Sequence, residues 1–122
     1  MIRLAKNTCT VFVRAVRGPS EKFGVCLIKN NYLLDIREKE RGIKFKFANC
    51  GAYKLDLDIF NEPIIYGPSG EEWLSSMVGS LAKKNKTKVV KATRWFPIAT
   101  VEDLKKAGKY LKQKHDFGDV RY

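Results

Sequence analysis

Apolar and polar positions alternate through the first half of the chain, and a helical period replaces that alternation in the second. Residues 8–17 read TCTVFVRAVR, where Cys9, Val11, Val13 and Ala15 alternate with Thr8, Thr10, Phe12 and Arg14. A period of two is the mark of a strand. Gly18-Pro19-Ser20 ends it. Residues 23–29 form a second β-rich run, and residues 32–37 return as a third. Asn30-Asn31 between them can supply the two positive φ angles of a tight hairpin turn.

The cleanest alternation follows the charged tip at residues 38–42. In residues 43–47, Ile43, Phe45 and Phe47 share one face while Lys44 and Lys46 share the other. In residues 53–59, Tyr53, Leu55, Leu57 and Ile59 point one way while Lys54, Asp56 and Asp58 point the other. Such a split belongs to an antiparallel sheet with one wet face, and Asn49-Cys50-Gly51 reads as the hairpin joining the two strands. Ile64, Ile65 and Tyr66 add a short edge strand.

At Ser69 the period changes. Ser69 and Glu72 have the spacing of a capping box, and Trp73, Leu74, Met77, Val78 and Leu81 recur at helical spacing to about Lys84. Residues 87–95 read as a strand, ended by Pro97. Thr100 is placed to cap a last helix, with Val101, Leu104, Ala107, Gly108, Leu111 and His115 on one side and Lys105, Lys106, Lys109 and Lys112 on the other. The order predicts an α+β domain: an antiparallel meander of about five to six strands, then helix, strand and helix, with both helices on one sheet face. Residues 1–122 read as a single domain, with 116–122 a patternless tail.

Charge changes the picture more than composition does. With 44% apolar residues the 122-residue chain can build one core. Its net charge of +11, however, is concentrated: Lys83 to His115 holds eleven Lys or Arg against only Glu102 and Asp103. After Asp103 no acid follows until Asp116, so the helix lysines lack the i,i+4 partners of an ordinary solvated face. An anionic partner is the expectation. Lys83, Lys84, Lys86, Lys88, Lys91, Arg94, Lys105, Lys109 and Lys112, with Trp95 as a stacking ring, are the candidate nucleic-acid contacts. Lysine predominates over arginine, so phosphate contact without base specificity is expected, to DNA or RNA. The alternative is a protein-interaction module, an inhibitor or accessory subunit, docking on an acidic protein or nucleoprotein.

Catalytic signals are weak. His115 is the only histidine, and Cys9, Cys26 and Cys50 are scattered, so neither a metal ligand set nor a hydrolase triad is expected, and no cofactor. Asp56 and Asp58, joined by Asp35 or Glu38, could hold Mg²⁺ in a nuclease, though a charged outer strand face gives the same pattern. A non-enzymatic protein is therefore expected. The odd cysteine count suits a reducing, cytoplasmic compartment. No run reaches membrane-spanning length, and the first ten residues lack the apolar core of a signal peptide.

Overall fold

Strand β1 (Cys9–Ala15) lies at the centre of the core, with Cys9, Val11 and Val13 all fully buried, as its alternation predicts. Each such valine contributes about 1.5–3 kcal/mol by leaving water. The structure is a computed structural model that describes residues 9–113, so His115 and the tail at 116–122 lie outside the described residues. Beyond β1 come β2 (Gly24–Lys29), β3 (Tyr32–Glu38), β4 (Phe47–Lys54), α1 (Leu74–Ala82), β5 (Thr87–Lys91) and α2 (Val101–Gln113). Single 3-10 turns occupy Ser20–Lys22 and Leu57–Asn61.

The strands do not form a meander. They close into a five-strand barrel in the order β1-β4-β2-β3-β5, with β5 returning to β1. Only the β2–β3 hairpin follows chain order, and Asn30 (φ 53°) and Asn31 (φ 66°) supply its turn as expected. Strand β4 inserts between β1 and β2, antiparallel to both. Strand β5 runs parallel to β1, Cys9 facing Thr87 and Val13 facing Lys91, because α1 intervenes and reverses the chain. A single pair, Tyr32 with Lys88, closes the ring against β3.

Two turn signals have other uses. Asn49-Cys50-Gly51 is no hairpin but the interior of β4, where the register against β1 jumps: Val11 faces Tyr53, and Val13 faces Asn49. Four residues of β4 thus span two of β1, an extended bulge that Gly51 permits with φ of 80°. The alternation after Tyr53 is equally misleading. β4 stops at Lys54, Asp56 caps the 3-10 turn by accepting from the Asp58 amide at 3.0 Å, and Leu57 is 78% exposed. The chain at 64–66 forms only one bridge, Tyr66 to Glu72, so α1 begins at Leu74 instead of at a Ser69 capping box.

Helix α1 lies on β3 through Val78 and Leu81, against Leu33 and Ile36. Gly79 lets it approach: a Cβ there would stand 2.8 Å from the Ile36 amide nitrogen. Helix α2 does not share that face. It rests on the segment leading into it, with the Tyr110 ring 4.8 Å from that of Phe96 and the Tyr110 hydroxyl accepting from Arg94 at 2.8 Å. Thr100 is its cap, its hydroxyl accepting from the Asp103 amide at 3.1 Å. No helix among the described residues is long and apolar enough to cross a membrane.

Candidate functional site

Polar side chains from β3 and β4 meet over the start of β2. Gly24 opens β2 and pairs with Glu38, the last residue of β3. A Cβ at Gly24 would come within 2.6 Å of Glu38 Oε1 and 3.4 Å of Asn49 Cβ, so the carboxylate lies over bare glycine backbone with Asn49 beside it. The β4 bulge sets the asparagine: Oδ1 accepts from the Gly51 amide at 2.9 Å, and Nδ2 donates to the Tyr53 hydroxyl. One Asn49 N–H is left over. The Glu38 carboxylate accepts no hydrogen bond among the described residues.

The chain just past Glu38 is constrained. Lys39 holds φ of 54°, a left-handed conformation that is uncommon for a non-glycine residue and clusters at functional sites. Its amide donates to the Phe23 carbonyl at 3.2 Å, tying the end of β3 to the start of β2.

Electrostatics keep the neighbouring groups neutral. Burial pushes the Cys26 thiol up to about 12, with Cys50 and the Glu38 charge adding to it. Burial likewise raises the Tyr53 phenol, a shift that Asn49 partly offsets and Glu38 reinforces. A thiol held protonated is a poor nucleophile. The cluster is thus built to accept and donate hydrogen bonds around one carboxylate.

The lysines singled out by sequence are spread over several elements. Lys83 and Lys84 sit past the end of α1, where Lys83 pairs with Asp35 at 3.6 Å and Lys84 with Glu62 at 2.9 Å. The missing acids come from 48 and 22 residues upstream, out of reach of any local spacing rule. Lys86 lies 5.5 Å over the Tyr32 ring, and Lys91 lies 5.2 Å over Phe47, which also carries Lys46 at 5.6 Å. Lys88 is exposed on β5. Arg94 and the half-buried Trp95 lie beyond β5 in the loop. On α2, Lys105 pairs weakly with Glu102 at 3.5 Å, while Lys109 and Lys112 are exposed. Asp56 and Asp58 do not make a metal pair: Asp56 caps its turn, and Asp58 accepts from Asn85 at 3.3 Å. Among the described residues no group of three His, Cys, Asp or Glu could hold a metal ion.

Sequence reasoning missed Asn49 and Gly24, and offered Glu38 only as a metal partner of Asp56 and Asp58. Glu38 reads as the edge of a charged turn and Asn49 as a hairpin residue; only the Asn-x-Gly spacing hints at the bulge that aims the amide.

Comparison with known proteins overturns the expected function. No family model matches the chain. Two proteins named bifunctional protein GlmU do: that of Methanocaldococcus jannaschii is 32% identical over 113 residues, 89% of this chain and 28% of the relative. That of Methanococcus aeolicus is 32% identical over 110 residues, 87% of this chain and 26% of the relative. A UDP-glucose pyrophosphorylase in its apo form superposes with a TM-score of 0.73 at 19% identity, over 88% of this chain and 44% of that one. Its counterpart complexed with UDP-glucose gives 0.71 at 20%, over 88% and 45%. A Bacillus anthracis structure with bound sucrose, assigned as a glucose-1-phosphate thymidylyltransferase, gives 0.71 at 22%, over 96% and 46%. The chain spans about a quarter of the length of these curated relatives and less than half of these solved structures. Its fold is nucleotidyltransferase-like, and its relation is to an enzyme family, over part of those enzymes' length. The expected nucleic-acid binding, the inhibitor alternative and the non-enzymatic reading are all overturned by that relation.

Proposed function

We propose that this chain carries the sugar-phosphate-binding part of a nucleotidyltransferase-related protein, with Glu38 and Asn49 as the hexose contacts. The observation that carries the reading is the Glu38 carboxylate, which lies over Gly24 beside Asn49 and accepts no hydrogen bond among the described residues. A carboxylate and an amide N–H side by side suit adjacent sugar hydroxyls, one donating and one accepting. Gly24 suits the same purpose, since the missing Cβ leaves the Glu38 carboxylate the place it occupies beside Asn49. The exposed Lys39 is a cation for the phosphate, and its left-handed backbone fixes it to the site's edge. UDP-glucose and glucose 1-phosphate, the sugars in the names of the similar structures, share a glucosyl phosphate.

In nucleotidyl transfer the oxygen of a sugar phosphate attacks the α-phosphorus of a nucleoside triphosphate and pyrophosphate leaves. These residues contribute to such a reaction by orienting the attacking phosphate, a proximity effect. The nucleotide, and any divalent ion that neutralises its phosphates, falls to residues outside this set. Titration calorimetry of the chain with glucose 1-phosphate and with UDP-glucose is the test. Saturable binding weakened about 10–100-fold by Glu38→Ala is expected, the range for losing a charge-assisted hydrogen bond. Equal affinity in the variant, or no binding of either ligand, overturns the assignment.

A further inference from the structure

A groove opens on the barrel where β2 and β4 part. The two strands pair only as Val25 with Ala48 and Cys26 with Phe47, and Phe47 is the first residue of β4. Beyond Cys26, β2 therefore has no strand on that side among the described residues. On its other side the register slips: Leu27 faces Asp35 and Ile28 faces Leu33, so Leu34 is an extra residue on β3, a bulge that re-aims its side chain. The cavity left here has a volume of about 530 Å³, within the range of small-molecule sites. Strands β2 and β3 line it with Leu27, Ile28 and Leu34, and the chain entering β4 lines it with Phe45 and Phe47. Leu34 is 48% exposed, apolar surface that a ligand could cover.

The charge around it is all of one sign. Lys44 and Lys46 line the groove, and its lining holds no acid. Lys46 and Lys91 hold their ammoniums 5.6 and 5.2 Å from the centre of the Phe47 ring. The Lys46 carbonyl accepts from the Val16 amide at 3.2 Å, which anchors this stretch just past the end of β1. A second cavity of about 400 Å³ shares Phe45 and Lys46 with the first and adds Arg17. Among the described residues none of Lys44, Lys46, Lys91 and Arg17 pairs with a carboxylate.

The lining decides what kind of anion fits. It holds no amide, hydroxyl or carboxylate side chain, so a sugar or the edge of a nucleobase finds no side-chain partner there, whereas hydrocarbon does. A phosphate monoester carries close to two negative charges at neutral pH, against one for a carboxylate, and so suits a pair of ammoniums better. We infer that the groove binds an alkyl phosphate, a small amphiphile free in solution. Its hydrocarbon chain lies along Leu27, Ile28, Leu34 and Phe45, and its phosphate meets Lys46 and Lys91 beside Phe47. The inference goes beyond the hexose contacts and does not rest on them. Neither Glu38 nor Asn49 lines the groove, so titrations with an alkyl phosphate and with glucose 1-phosphate fail separately.

Titration calorimetry with decyl phosphate, kept below its micelle concentration, tests it. Saturable binding is expected, with affinity rising about 2–4-fold per methylene from hexyl to decyl phosphate, the gain from taking each group out of water. The double variant Lys46→Gln, Lys91→Gln should weaken decyl phosphate about 10-fold, as two partly screened ion pairs are lost. Leu34→Glu, which sets a like charge in the groove, should weaken it at least as much. All three side chains are exposed, so these variants keep the fold. No binding of decyl phosphate, equal affinity for inorganic phosphate, or equal affinity for uncharged decyl maltoside overturns the proposal. So does unchanged affinity in the lysine double variant. Binding to phosphatidic acid vesicles without binding to free decyl phosphate reassigns the lysines to a membrane surface and equally overturns it.

Discussion

Lys84 reaches the carboxylate of Glu62, 22 residues upstream, at 2.9 Å, and that carboxylate is all but buried, with 3% of its side chain exposed. Ser80 donates to its other oxygen at 2.7 Å. The Lys84 and Ser80 hydrogen bonds hold the Glu62 carboxyl below its ordinary value of 4.5, against the opposing effect of desolvation. A depressed carboxyl binds fewer protons folded than unfolded, so its contribution is fully present above 4.5 and is lost as the pH falls through the folded value. Thermal melts between about pH 5 and 3 should therefore fall more steeply for the native chain than for Glu62→Gln, which keeps the Ser80 contact without titrating. Lys84→Met should move the loss to higher pH. Parallel curves for all three would mean that the pair does not couple to folding.

Gly79 offers a prediction opposite to helix propensity. Alanine in a helix interior is ordinarily better than glycine by about 1 kcal/mol. Here a Cβ would stand 2.6 Å from Asp35 Oδ1 and 2.8 Å from the Ile36 nitrogen, and the latter is strand backbone that cannot rotate away. Gly79→Ala should destabilise by about 1–3 kcal/mol, the cost of overpacking, read as a lower urea midpoint. A midpoint that rises would show α1 free to slide on β3.

Gly24→Ala should act differently. The nearest atom to its Cβ is Glu38 Oε1, the end of a flexible side chain, so the carboxylate moves and the strands stay. Stability within about 0.5 kcal/mol of the parent is expected, since no backbone is displaced, together with a loss of glucose 1-phosphate affinity similar to that of Glu38→Ala. Calorimetry beside a urea melt separates the two effects. Retained affinity would mean that the carboxylate is not where the sugar binds.

Local chemistry was legible where one residue and its near neighbours decide the outcome. Asn30-Asn31 had to turn, because asparagine tolerates φ near 60°, and Thr100 had to cap, because its hydroxyl meets the Asp103 amide. The period of two in β1 gave its buried face for the same reason. Topology was not legible. Nothing local distinguishes a hairpin at Asn49-Cys50-Gly51 from a bulge within one strand; the difference lies in whether β1 is alongside to pair with both halves. Once β4 is continuous, it inserts between β1 and β2, β5 closes on β1, and the meander is gone.

The charge pattern misled for a related reason. Lysines at 83 and 84 look unopposed over any window of a few turns, while their acids sit on β3 and beyond the 3-10 turn. The candidate site depends on the same long-range pairing. Gly24, Glu38 and Asn49 are unremarkable in their own segments and become a constellation only when β2 lies between β3 and β4.

Lys54 closes β4 opposite Thr10, and its Nζ is buried with no hydrogen-bond partner among the described residues. An ammonium taken out of water with nothing to receive its protons is a net cost, and replacing such a group by an apolar one of similar shape is often neutral or stabilising. Methionine matches the lysine stem in length and flexibility and lacks the charge. Lys54→Met should therefore stabilise the chain by about 1 kcal/mol, seen as a higher urea midpoint at unchanged slope. Lys54→Ala, which also removes the side-chain methylenes, should gain less or lose stability. If the methionine variant is instead weaker than the parent, the ammonium has an anionic partner in solution, and its position on the Thr10 side of β4 says where to look for it.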